Sequence, residues 1–454
     1  MTRFVPERVK RLSVLPTGPF GGFLGPDGLG SIARVIRRLQ AVMTLTLGLS
    51  LLSVPAVAHA QPAPCFDANA PTTVEEQRLA DRLTPTGPEV GPELVRLAGF
   101  EDDIGRFTAR LCEPISRSQA FGLALAGGTD LWRAAVGRAQ SPQAWDAFDD
   151  RPLYWARLLA TKALRQWRPQ GWQLTAADRA RLVESFDHAS RGVSDLRFGT
   201  GVRRIAVTGF DPFQLFGTSV RRSNPSGASA LQLDGKVIGT PSGPVVVEAA
   251  VLPVLWGAFD QGVVERFYGA ALGSRAHALV TISQGRDGQF DVERWAGRFR
   301  GIYPDNNNVS VPGVVPDAAG WPQPAHEFIE TTLPHQRMID AGTTPFPVYY
   351  NRSFCEWPLG TVPAPGTGTA DCRSDEPTPG AAAAEGSGGD YLSNESMYRA
   401  NRVRLGLGAT TTAGGHLHTP VLGQPADPAA LTDAAFERDR RAIAGQVVAL
   451  VSVI

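Results

Sequence analysis

Lysine is nearly missing from this 454-residue sequence, occurring only at Lys10, Lys162 and Lys236. The rest of the positive charge is arginine, and 44 basic residues against 44 acidic ones leave a formal net charge of zero. That balance removes the electrostatic case for a nucleic-acid partner. The arginine bias reads as a feature of coding and not as a phosphate-binding surface. Long apolar runs are scarce as well. The run from Ala41 through Leu52 falls short of the ~20 residues that span a bilayer, and no other stretch could cross one. Cysteine is limited to Cys65, Cys112, Cys355 and Cys372. With 43% hydrophobic and 19% charged residues the chain reads as globular, and its length exceeds one ordinary domain.

Arg34, Arg37 and Arg38 precede the apolar run, and Ala58-His59-Ala60 has the small-x-small pattern of a cleavage site before Gln61. Residues 34–60 therefore read as a signal peptide, and residues 1–33 as a low-complexity extension or a misassigned start. The expected location is periplasmic or extracellular, with no stable membrane span after cleavage. All four cysteines follow the cleavage site, and an even count in an exported protein implies disulfides. By position, Cys65 pairs with Cys112 and Cys355 with Cys372.

Residues 61–200 read as mainly helical, with no catalytic motif and no assigned function. Thr72 with Glu75, and Thr175 with Asp178, have capping-box spacing. Leu153, Ala156, Ala160, Ala163, Leu164 and Trp167 form a helical apolar stripe that suits a core. From Arg203 the pattern changes. Arg204–Thr208 reads as a strand broken by Gly209, and Val245–Val254, Ala278–Ile282 and Phe346–Tyr350 as further buried strands. Phe436, Ile443, Val447 and Leu450 mark a closing helix. Strands alternating with helices predict a three-layer α/β/α sandwich around a mixed, largely parallel sheet over residues 201–454. Residues 352–387, rich in Gly, Pro and Ala, interrupt it as an insertion that a Cys355–Cys372 bridge would close and that would sit beside the active site as a lid.

The stretch around which the chain is organised is Gly388-Gly389-Asp390-Tyr391-Leu392-Ser393-Asn394-Glu395-Ser396-Met397-Tyr398. Paired glycines allow a tight turn, and Met397, Ala400 and Val403 recur at helical steps, so a helix starts near Ser393. Its first N–H groups and its dipole would stabilise negative charge there. An ordinary N-cap is the plain alternative for Ser393. Downstream lies Gly414-Gly415-His416-Leu417-His418-Thr419-Pro420. Upstream, Ser283-Gln284-Gly285-Arg286 leads into Asp291-Val292-Glu293-Arg294-Trp295-Ala296.

Together with Val207-Thr208-Gly209-Phe210-Asp211-Pro212-Phe213, Asn224-Pro225-Ser226 and Pro304-Asp305-Asn306, these segments resemble pyroglutamyl peptidase I in order. That family of cysteine peptidases removes N-terminal pyroglutamate. The resemblance covers about residues 201–454 and implies the same α/β fold. It implies Ser393 in the place of the nucleophilic cysteine, His418 as base and Glu293 as the residue that orients the histidine. It further implies Phe210 and Phe213 as aromatics holding the lactam ring and Gln284 as a polar residue near the pocket, although both phenylalanines also suit core packing. The family's arginine before the Pro-Asp-Asn run is replaced by Ile302, with Arg300 nearby. Gln214-Leu215-Phe216 replaces a Gly-Gly pair.

A serine hydroxyl cannot be pre-ionised as a thiol can, so it must lose its proton to His418 as it attacks. The expected activity is removal of a pyroglutamyl or related acyl group from a peptide or small amide, with no cofactor. Three alternatives stay open. The exchange of cysteine for serine fits an inactive family member that binds peptides. His416 and His418, two apart on one strand face, could form a metal pair with Glu293 in a metallohydrolase. Cys355 could be the nucleophile, but it lacks the glycine pair and the Asn-x-x-Met-Tyr continuation. Oligomeric state is open.

Overall fold

The computed structural model describes residues 64–198, 202–240, 242–361 and 369–454. The extension 1–33, the signal segment 34–60 and Gln61 lie outside the described residues. Pro62–Ile454 forms one compact unit.

Its first half is helical: α1 (Val74–Gln77), α2 (Val90–Leu97), α3 (Glu101–Leu111), α4 (Arg117–Ala139), α5 (Arg151–Gln166) and α6 (Ala176–Ala189). A capping box does open α1, but one residue later than the spacing suggested, between Thr73 and Glu76. Glu75 is turned inward instead, accepting hydrogen bonds from Tyr154 and Asn306. Thr175 caps α6 through the Asp178 N–H. On α5 the stripe of Leu153, Ala156, Ala160 and Leu164 is buried and Trp167 follows it into the core, while Ala163 is half-buried. Cys65 is bonded to Cys112 and ties the start of the described chain to the end of α3.

Strands begin at β1 (Arg203–Phe210), with α7 (Pro225–Leu233) before β2 (Val237–Thr240) and β3 (Gly243–Leu252). Next come α8 (Trp256–Asp260), α9 (Val263–Gly273), β4 (Ala278–Gln284) and β5 (Phe290–Glu293). Short strands β6 (Trp295–Gly297), β7 (Phe299–Arg300), β8 (Gly313–Val314) and β9 (Phe328–Glu330) precede α10 (His335–Asp340) and β10 (Val348–Asn351). The rest comprises β11 (Phe354–Glu356), β12 (Asp371–Arg373), β13 (Ala383–Glu385), α11 (Leu392–Gly406), β14 (Ala413–Thr419) and α12 (Ala434–Val451).

Seven strands form the central sheet in the order β10-β5-β14-β4-β1-β3-β2. Pairing is parallel except between β14 and β5 and between β2 and β3. The two-residue alternation of β side chains sorts the core. Ile205, Val207, Val245 and Val247 pack on one face with α12 and the N-terminal helices. Ala206, Ala250 and Leu279 pack on the other with α8, α9 and α11. Three layers result. Gly209 does not break β1, which runs through it to Phe210. A Cβ at Gly209 would come within 2.1 Å of the Ser226 carbonyl oxygen, so the glycine is needed for close approach to the start of α7.

The insertion after β10 is not structureless. Its strands form a small sheet in the order β12-β11-β13, with Cys355 opposite Cys372 and bonded to it.

The helical half and the sheet are joined by buried ions. Arg157 and Arg191 both donate to Asp211 just beyond β1. Asp150 accepts from Ser223 and from the Asn224 N–H at the mouth of α7. Arg440 of α12 pairs with Asp146 and Asp149.

Candidate active site

The site is built at β14, which lies between β4 and β5. Across the antiparallel pair, His416 faces Glu293 and His418 faces Asp291. Residues two apart on a strand share a face, so both histidines and Glu293 project to one side. Glu293 reaches diagonally, placing Oε1 2.6 Å from His418 Nδ1. Its second oxygen accepts a 2.7 Å hydrogen bond from Asn351 Nδ2, which also donates to the Ser387 carbonyl at 2.7 Å. Both members of the pair are buried. In the neutral tautomer that donates Nδ1–H to the carboxylate, Nε2 is the acceptor nitrogen.

Two glycines clamp the imidazole. A Cβ on Gly285 would lie 2.6 Å from His418 Cβ and Cγ, and one on Gly388 would lie 2.9 Å from His418 Cε1. The glycines of both motifs thus leave room for the ring. A third, Gly389, adopts φ +86° in the tight turn where the Gly386 N–H bonds the Gly389 carbonyl.

That turn delivers the chain to α11. Tyr391 is the N-cap and its side chain makes no capping bond. Among the described residues, the N–H groups of Leu392, Ser393 and Asn394 donate to nothing. Three free donors and the dipole of a 15-residue helix therefore converge beside Ser393. Ser393 is half-buried in the first turn, and its Oγ donates to the Gly388 carbonyl at 3.3 Å. The following residues anchor the helix. Asn394 bonds both the N–H and the carbonyl of Gly297, Glu395 pairs with Arg300 and Arg399, and Tyr398 donates to the His326 carbonyl.

Ser393, His418 and Glu293 line one cavity of about 900 Å³, together with Phe213 and Gln284. Gln284 Oε1 accepts from the Leu422 N–H. Phe210 is not brought to the cavity. It is 3% exposed and stacks on Phe259 inside the core, because β1 is still paired to β3 at that residue and turns its ring under the sheet. Phe216 and Tyr303, by contrast, are 63% and 61% exposed at the cavity wall. Arg300 points away, committed to Glu395 and Asp260.

His416 is occupied at both ring nitrogens, Nδ1 with Thr281 Oγ1 at 2.7 Å and Nε2 with Ser283 Oγ at 2.8 Å. Burial, reinforced by His418, lowers its pKa well below the ordinary value and keeps it neutral. It braces β14 against β4 and has no nitrogen left for a metal shared with Glu293. Cys355 and Cys372 form part of the cavity wall as a disulfide, so neither offers a thiol nucleophile.

The structure adds residues that the motifs did not single out. Asn351 ends a β-strand and carries no signal until the parallel pairing of β10 with β5 puts it opposite Glu293. Arg78 reaches the cavity from the helical half, some two hundred residues before the motifs it joins.

Family models for the PA0049 N-terminal domain and the PA0049 C-terminal domain match residues 58–187 and residues 204–324 with 346–423. The uncharacterized protein PA0049 of Pseudomonas aeruginosa is 30% identical, over 92% of this chain and 97% of its own length. Among solved structures, a variant of pyrrolidone carboxyl peptidase from Pyrococcus furiosus is 21% identical over 55% of this chain and 97% of its own, with a TM-score of 0.35. Pyroglutamyl peptidase I from Bacillus amyloliquefaciens is 17% identical over 55% of this chain and 98% of its own, also at a TM-score of 0.35.

Proposed function

This chain belongs to the PA0049 family, and from that premise and the geometry of its cavity we propose that it is an exported serine amidohydrolase acting on small N-acyl or pyroglutamyl amides. The observation that carries this reading is the 2.6 Å contact between His418 and Glu293 in a cavity shared with Ser393 and an uncapped helix N-terminus. Export is supported by two disulfides and by the signal pattern in residues 34–60. Among the described residues no helix is long and apolar enough to cross a membrane.

In the proposed reaction Ser393 Oγ turns from the Gly388 carbonyl toward the substrate carbonyl carbon. As the O–C bond forms, the hydroxyl proton passes to His418 Nε2. Glu293, held by Asn351, fixes the imidazole and stabilises the imidazolium. The carbonyl oxygen becomes an oxyanion, and the free N–H groups at the start of α11 are its stabilisers. The C–N bond then breaks as His418 returns the proton to the leaving amine. Water, deprotonated by the same histidine, then bonds the acyl carbon, and the bond to Ser393 Oγ breaks as His418 returns that proton to Oγ and the acid leaves.

A non-catalytic peptide-binding module is the second reading, favoured by the Ser393 hydroxyl being engaged with Gly388. Incubation of the wild type and Ser393→Ala with a fluorogenic pyroglutamyl amide separates the two. Hydrolysis by the wild type and none by the variant supports the hydrolase. Binding without turnover by either supports the module.

A further inference from the structure

Arg78 lies on the 3₁₀ turn (Arg78–Ala80) that follows α1, in the helical half of the chain, yet it lines the cavity of Ser393 and His418. It is 8% exposed. Its Nη1 donates to the Asn306 carbonyl at 2.6 Å, and this is its single hydrogen bond among the described residues. No carboxylate of the described residues lies within the 4.0 Å of an ion pair.

Burying a guanidinium without a counter-charge is costly. Three other buried arginines have more partners than Arg78. Arg151 and Arg157 pair with Asp149 and Asp211, and Arg221 donates to the carbonyls of Pro425, Asp427 and Ala430. Arg222 repeats the pattern of Arg78 on the same cavity. It makes one bond, to Gln214 Oε1, and has no ion pair among the described residues; its Nε is buried without a partner, as that of Arg221 also is. Both guanidiniums are tied to the loop that carries Phe213, since Asn306 Nδ2 donates to the Pro212 carbonyl.

We propose that Arg78, with Arg222, is a receptor for a carboxylate on the substrate, so that the helical half of the chain sets specificity for acidic N-acyl compounds over neutral amides. Asp81 acts on Arg78 through its charge without a direct ion pair; a planar guanidinium fork matches the two oxygens of a carboxylate and would gain the direct partner that the described residues do not supply. The proposal rests on the hydrolase reading of this site, and names the substrate class that the reading leaves open. The carboxylate can sit on the leaving amino acid or on the acyl group.

Calorimetric binding to full-length Ser393→Ala protein, which by that reading does not turn the probes over, tests it. Pyroglutamyl-alanine is compared with its C-terminal amide for the leaving side, and succinyl-alaninamide with acetyl-alaninamide for the acyl side. In one pair the acid should bind on the order of 10- to 100-fold more tightly, the equivalent of one charge-assisted hydrogen bond. That preference should collapse on adding Arg78→Gln, which keeps a donor for Asn306, and survive in part with Arg78→Lys. Equal binding within both pairs overturns the proposal, as does a preference indifferent to Arg78→Gln in a protein with unchanged thermal unfolding. Turnover is read separately on the wild type. An Arg78-dependent preference without hydrolysis removes the hydrolase and leaves the receptor. Hydrolysis with no acid preference does the reverse.

Discussion

His418 and Glu293 are not cross-strand partners, yet their side chains meet at 2.6 Å. In the antiparallel ladder His418 faces Asp291 and Glu293 faces His416. The diagonal is possible because a glutamate spans the extra distance and Asn351 holds its other oxygen in place. Glu293→Gln should therefore lower turnover by about 10³- to 10⁴-fold, since the amide no longer fixes the imidazole tautomer. Asn351→Ala should act through Glu293 and cost about 10-fold, with little change in KM. Steady-state kinetics on a fluorogenic amide check both. An Asn351→Ala defect confined to KM would contradict the positioning role.

The glycines around the imidazole predict a defect without unfolding. Gly388→Ala puts a methyl group 2.9 Å from His418 Cε1, and Gly285→Ala puts one 2.6 Å from its Cβ and Cγ. Neither glycine has positive φ. Each variant should lose about 10²-fold or more in turnover, because a 1 Å misplacement of a reacting group has that effect. A full-activity Gly285→Ala enzyme would show that the ring position is not critical.

How much of this was legible in the sequence differs by element. The strands could be read because Arg204–Thr208 and Ala278–Ile282 are dense runs of apolar or β-branched residues, and buried parallel strands have that composition. The helix of Ser393 could be read from its glycine turn and its apolar spacing. Of the two places open to Phe210, pocket or core, the structure puts it in the core, a choice the motif leaves undecided because it gives chain order and not face. One residue of strand more or less turns a ring from cavity to core. Asn351, Arg78 and the small insertion sheet depend on contacts between distant segments, for which no local pattern exists. The capping box slipped by one residue because tertiary bonds to Tyr154 and Asn306 compete for Glu75.

The Cys355–Cys372 bridge closes 17 residues of the insertion against the cavity. Its removal by Cys355→Ser with Cys372→Ser should lower stability by about 3 kcal/mol on the loop-closure scale and raise KM. Urea unfolding and kinetics read the two effects. Iodoacetamide should leave the oxidised wild type unaffected, and inactivation before reduction would contradict the serine mechanism.

Three carboxyls between the helical half and the sheet predict a pH dependence of folding. Burial, with the charge of Asp211, pushes Glu75 up to about 7. Burial and Asp149 do the same for Asp150, which reaches about 7, and burial raises Asp234 to about 7. In the unfolded chain such groups titrate near ~4. The stability they contribute is complete below that value and is lost as pH rises through about 7. Asp149, whose burial is outweighed by Arg151 and Arg440, lies below its usual range, so its contribution is lost as pH falls from about 4 through that lowered value. Urea midpoints should fall between pH 5 and 8, and Asp150→Asn should flatten that slope. A midpoint rising over this window would contradict the assignment.

Covalent capture of the nucleophile tests the central claim most directly. The native, oxidised protein is treated with a fluorophosphonate, and its intact mass and peptide map are recorded. A hydroxyl activated by His418 and Glu293 predicts a single adduct, located on Ser393, formed rapidly in the wild type and abolished in His418→Ala. No adduct, an adduct on another residue, or labelling of Ser393 that is indifferent to His418→Ala would contradict the account.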